Sequence, residues 1–135
     1  MKAMTRSRAL KRFDTLYGGK GPWVGSFLPR GRSQYILYAV ALSEHPGVTK
    51  VGRTTRWDRR RASYARWNLS DGDAIAAEQT FVITEEFVDL AKLEAALLAG
   101  LPFPTRHGRE WFVADFDDVC RAIERFLCEH GLSYV

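Results

Sequence analysis

The sequence predicts a small α/β domain of the α+β kind: a short three-stranded sheet, mixed or antiparallel, flanked by helices. Three observations carry this. Two β-branched and aromatic runs, Tyr35 to Leu42 and Val48 to Val51, flank the turn Ser43-Glu44-His45-Pro46-Gly47 and read as a hairpin. Two later stretches place apolar residues at helical spacing. A length of 135 residues with 46% apolar content suits one domain with a true core.

The elements follow in order. Residues 1–33 are basic and rich in Gly and Arg and read as an irregular arm, with a short helix over Arg8 to Leu16. Trp23 and Phe27 suggest that the arm docks on the body, residues 34–135. In the hairpin, Lys50 interrupts an apolar strand and faces opposite to Val51, and Gly52 ends that strand. A lysine in a short central strand must reach solvent or line a polar cleft. A helix follows from Arg56 to Trp67, with Thr55 as N-cap and Asp58 in capping-box position. Residues 68–73 turn into a third strand, Ala74 to Thr84. Thr84 then caps a helix whose first turn holds Glu85 and Glu86 and whose apolar stripe is Phe87, Leu90, Leu97 and Leu101. Pro102-Phe103-Pro104 ends it. Trp111-Phe112-Val113 makes a short last strand. A covering helix over 115–130 starts at Asp115, carries Phe116, Val119, Cys120, Ile123, Phe126 and Leu127 on one face, and stops at Gly131.

Several functional classes drop out. No apolar run approaches ~18 residues, so no membrane span is expected. The basic N-terminus has no apolar core of a secretory signal. Gly18 to Gly21 lacks the Gly-Lys-Ser/Thr of a phosphate loop. Cys120 and Cys128 sit eight apart in a predicted helix, roughly 12 Å along its axis, too far to pair. A reducing cytoplasm is the expected compartment.

Charge is lopsided. Residues 1–66 hold 15 Lys/Arg against three acids, a net +12, while residues 67–135 hold five against 13, a net −8. A basic half interleaved with aromatics is the footprint of a polyanion binder. Arg30, Arg32, Arg53, Arg56, Arg59, Arg61 and Arg66 are its candidate phosphate contacts. Pairing with the acidic half of the chain, or with an acidic partner protein, is the alternative.

Two helical positions carry chemistry. Arg60 and Tyr64 share a helix face at i and i+4, beside Trp57. Glu94 falls inside an apolar stripe, where a carboxylate is costly unless paired with a cation, such as Arg60, or bound to a metal.

Tyr38, then Lys50-Val51-Gly52, then Arg60 eight residues on, Tyr64, Glu94 on a later helix, and Gly108-Arg109-Glu110-Trp111-Phe112 stand in an order that resembles the GIY-YIG nuclease superfamily. The nearer likeness is to its phage-type branch (the T5 phage open-reading-frame type domain), whose second motif reads Lys-Ile-Gly. Ile36-Leu37-Tyr38 stands for the first motif, with Ile36 where the family has glycine, and Leu98 stands where a histidine is frequent. The resemblance spans Tyr35 to Phe112 and implies a metal-dependent DNA endonuclease. By that resemblance Glu94 holds Mg²⁺ or Mn²⁺, Arg60 binds the scissile phosphate, and Tyr38 takes the proton of the attacking water. Lys50 and Arg60 would lower the pKa of Tyr38, with phosphate contact the other role open to Lys50, and Tyr64 would orient water or phosphate. DNA is then the partner, and double-strand cutting calls for a homodimer or two binding events. A catalytically inactive DNA-binding module of the same fold is the alternative.

Overall fold

A computed structural model describes residue 23 and residues 33–66, 75–86 and 88–135. The expected arm, including Arg30, Arg32, Phe27 and the Arg8 to Leu16 helix, lies outside the described residues apart from Trp23. So do the 68–73 turn, Phe87 and the side chain of Arg66.

The elements are β1 (Tyr35–Leu42), β2 (Thr49–Thr54), α1 (Trp57–Arg66), β3 (Ile75–Ile83), α2 (Leu90–Gly100), β4 (Trp111–Phe112) and α3 (Phe116–Glu129). The class is as expected, but the sheet has four strands in the order β3-β1-β2-β4, and every pairing is antiparallel. The fourth is the short last strand expected at Trp111-Phe112-Val113, which the count of three left out: Trp111 and Phe112 pair with Lys50 and Thr49 and so join the sheet.

Because β1 is central, both of its faces are buried. Leu37 and Ala39 join Val51, Phe81, Ile83 and Phe112 in the larger core, under Leu93 and Leu97 of α2 and Val119, Ile123 and Leu127 of α3. Trp23 completes this core against Phe126 and His130. Its carbonyl accepts from the Asp89 amide at 2.6 Å, so this part of the arm docks as its aromatic character suggests. Tyr38, Val40 and Leu42 point the other way and pack with Tyr64, Trp57, Ile75 and Trp111.

Three boundaries differ for local reasons. β2 runs through Gly52 to Thr54, because Gly52 pairs with Tyr38 in mid-ladder. α1 begins at Trp57, and the Thr54 hydroxyl, not Thr55, accepts from a backbone amide there, that of Arg56 at 3.0 Å. α2 begins six residues after the expected cap. Thr84 and Glu85 are instead held extended by Ser133, whose carbonyl accepts from the Thr84 amide and whose amide donates to the Glu85 carboxylate. Asp89 caps α2, its carboxylate accepting from the Lys92 amide at 3.1 Å. α3 starts after Asp115 and ends before Gly131, as read from the sequence. Both cysteines are free, as their spacing requires. No helix among the described residues is long and apolar enough to cross a membrane.

Candidate active site and nucleic-acid interface

The site begins with strand parity. Side chains alternate along β2, so Lys50 and Gly52 face α1 while Val51 and Arg53 face α2. Tyr38 sits directly across from Gly52, and its ring lies over the glycine. A Cβ at position 52 would come within 2.5 Å of the Tyr38 Oη. The glycine is therefore there for close approach and not to end the strand. Tyr38 is only 1% exposed, flanked by Trp57 at a ring distance of 4.9 Å. Its hydroxyl shares a 2.8 Å hydrogen bond with the Tyr64 hydroxyl. The expected i and i+4 placement on α1 thus brings Tyr64 to the first-motif tyrosine.

Lys50 is the cation of this face. Its ammonium lies 5.3 Å from the Tyr64 ring centre and 5.7 Å from that of Trp111, its partner in the β2–β4 register. Glu110 is its counter-ion, at 3.7 Å, and the side chain is only 11% exposed. Burial pulls the Lys50 pKa below its ordinary value, and Glu110 opposes that shift.

Tyr38 does not show the lowered pKa that the resemblance calls for. Burial raises it, and this outweighs the lowering by the Tyr64 hydrogen bond and by Arg60. Tyr64 is raised as well, by burial and by its bond to Tyr38. As the site stands, both phenols are protonated near neutral pH.

Glu94 approaches from the other face. It lies at the edge of the α2 stripe, its side chain 14% exposed, and it pairs with Arg53 at 3.4 Å instead of Arg60. Burial raises its pKa, Arg53 lowers it, Glu110 raises it and Arg109 lowers it. The Glu94 charge also raises Tyr38 and Lys50, so the carboxylate is within electrostatic reach of the opposite face. The reason lies at the sheet edge. β4 is two residues long, and its ladder closes where the Val51 amide donates to the Glu110 carbonyl at 2.9 Å. Beyond that point the β2 edge is bare of β4.

The remaining arginines divide. Arg60 is exposed, and its charge lowers the pKa of Tyr38, Tyr64 and Lys50. Arg59 is also exposed, and among the described residues neither forms an ion pair. Arg61 does not simply look outward: its Nε meets both carboxylate oxygens of Glu78 on β3 at 2.8 and 2.9 Å, tying α1 to the sheet. Arg56 pairs loosely with Asp58 at 3.9 Å.

Sequence reasoning gave Glu110 no role at the site. The Gly108 to Phe112 motif was legible, but only the β2–β4 register reveals that the residue before Trp111 lies beside Lys50. Trp111 itself, over the Lys50 ammonium, was missed for the same reason.

The fold defines a small α+β domain, and the family profile gives its class, nuclease-like or DNA-binding. The T5orf172 domain profile matches residues 34–127, about two-thirds of the chain, and the protein belongs to that family, a GIY-YIG-like, nuclease-type domain. No curated protein and no solved structure gives a match.

Proposed function

We propose that this domain is a metal-dependent DNA endonuclease that hydrolyses phosphodiester bonds at one site per chain. The observation that carries the reading is Glu94. It is a desolvated carboxylate held at the open edge of β2, within reach of a phenol pair on one side and cations on both. A fold that needed only to bind DNA has no use for a half-buried negative charge facing phosphate.

The donor set fits Mg²⁺ or Mn²⁺. Such ions take one or two carboxylates and fill the rest of their shell with water and substrate oxygens. Glu94 would hold the ion, with Glu110 a second carboxylate whose charge reaches it. Among the described residues no group of three or more His, Cys, Asp or Glu forms a fuller cage. When bound, the ion supplies positive charge against the phosphoryl oxygens.

The chain's own residues divide the remaining work. Arg60, exposed and always protonated, would grip the scissile phosphate. Lys50, held by Glu110 and two rings, would add a fixed charge beneath it. Tyr38 would accept the proton of the attacking water. Its burial opposes that role, and the charge of Arg60 favours it. Tyr64 would hold the Tyr38 oxygen in place. Arg59 and, in part, Arg53 and Arg56 would contact flanking phosphates. One site cuts one strand, so double-strand cleavage would take a homodimer or two encounters. The reducing cytoplasm suits the two free thiols.

A second reading, a DNA-binding module without catalysis, draws on one observation. The Tyr38 hydroxyl is buried, bonded to Tyr64 and raised in pKa, which is a poor state for a base. Supercoiled plasmid incubated with Mg²⁺ or Mn²⁺ decides between the two. The endonuclease gives nicked or linear product that Glu94→Ala loses by about a hundred- to a thousandfold, in the range of a lost electrostatic catalytic group. Equal gel shifts by both proteins with no cutting by either would establish the binding module.

A further inference from the structure

The segment 104–113 has a shape that the nuclease reading leaves unused. Its two arms pair with each other along the edge of β4 turned away from β2: the Val113 amide donates to the Pro104 carbonyl and the Arg106 amide to the Trp111 carbonyl, both at 2.8 Å, with Thr105 bridged to Phe112. The inner arm is clamped to β2 in turn, through Thr49, Lys50 and the Val51 amide. The result is a hairpin fixed to the sheet edge, whose tip is His107 to Glu110.

The tip reverses sharply. His107 and Gly108 are both left-handed, with φ of 59° and 105°. A Cβ at Gly108 would meet nothing within 4 Å, so the glycine answers to its backbone angle and not to crowding. Holding a histidine in that region costs some local energy. The reversal turns Glu110 inward to Lys50 and leaves Arg106, His107 and Arg109 exposed. Among the described residues neither Arg106 nor Arg109 forms an ion pair, whereas Arg53, Arg56 and Arg61 all do. Arg109 follows the β2 edge one step past the last ladder bond. Its charge reaches Glu94.

An arginine with no ion pair among the described residues, on a hairpin clamped to the sheet edge and with its charge felt at Glu94, is arranged for a third, anionic group. We propose that the 104–113 hairpin is a phosphate-gripping finger that fixes the register of the DNA backbone against the Glu94 edge, with Arg109 as its main contact and Arg106 beside it. This rests on the DNA reading above and adds to it the element that sets where along a strand the site falls. The contact is to the backbone, which fixes register and carries no sequence information by itself.

The test separates binding from cutting. Anisotropy of a labelled mixed-sequence duplex is followed in EDTA over a salt series of about 50 to 200 mM. Each phosphate contact contributes about 0.9 to the slope of log affinity against log salt. Arg109→Ala should weaken binding throughout and flatten that slope by about 0.9. Arg109→Lys should recover most of the slope, since it keeps the charge. Arg121→Ala, a cation paired with Asp118 on α3, should match the wild type and serves as the control. Thermal melts within a degree or so of wild type would show that the exposed substitutions leave the fold intact. A wild-type slope in Arg109→Ala, with plasmid cleavage by the wild type intact, overturns the finger and leaves the nuclease reading standing. Absence of salt-dependent binding by the wild type overturns both.

Discussion

The two faces of one sheet differ more than any two elements of the chain. Leu37, Ala39, Val51 and Phe81 point one way and are buried without a polar atom among their side chains. Tyr38, Lys50 and Gly52, their immediate neighbours in sequence, lie on the other face, which holds a phenol pair, an ammonium and a glycine covered by the Tyr38 ring. One face makes its free energy from burial. The other gives some of it up, since a desolvated lysine sits in a state that water would stabilise better, and at the shared edge the raised Glu94 carboxylate does the same from the α2 side. The period of two in a strand is what lets a chain of this size do both within a single sheet.

The sharpest way to press the contrast is to remove one large side chain from the dry face. Phe81 is fully buried and stands across from Leu37. Phe81→Ala should cost about 3–5 kcal/mol, read as a shift of the urea midpoint. A loss below about 1 kcal/mol would mean that this face is far less tightly packed than its burial implies. The wet face is tested next by Gly52→Ala. The added methyl would meet the Tyr38 Oη at 2.5 Å and its Cζ at 2.6 Å, and Trp57 and Tyr64 leave the ring little room to retreat. The expected cost is about 1–3 kcal/mol, in the range of other overpacked sites, together with loss of the Tyr38–Tyr64 hydrogen bond. Full stability with full cleavage in this variant would show that the tyrosine can move without consequence.

The dry face was the more legible of the two. The runs Tyr35 to Leu42 and Ala74 to Thr84 and the stripes on two helices place nearly all of it, because burial repeats with the period of each element. The wet face was legible only residue by residue. Tyr38, Lys50, Arg60 and Tyr64, and Glu94 at the edge from the opposite side, could be named from their order in the chain, but their partners could not. Glu94 finds Arg53 and not Arg60 because β2 continues past Gly52 and carries Arg53 to the α2 side. Lys50 finds Glu110 because β4 pairs in one register and not the next. Both partnerships depend on long-range strand pairing, which no local pattern encodes. The late start of α2 has the same origin, since it depends on Ser133, which is remote in sequence from Thr84 and Glu85.

The smallest effect is also the most pointed, since it asks which way the Glu94 charge acts on stability. Its folded pKa is raised above the ordinary 4.5, so the native state binds this proton more tightly than the unfolded chain does. Stability from the protonated group is complete at low pH and is lost as pH rises through the folded value. Glu94→Gln has nothing to lose over that range. Urea midpoints of the two proteins should therefore nearly coincide at about pH 4 and separate by about pH 7, where the uncharged Glu94→Gln variant becomes the more stable chain. That would mark Glu94 as a group kept for chemistry at some cost to the fold. The opposite order at neutral pH, with the wild type ahead, would mean that the Arg53 pair outweighs burial. Glu94 would then be a structural charge, and the face it reaches would have no catalytic claim on it.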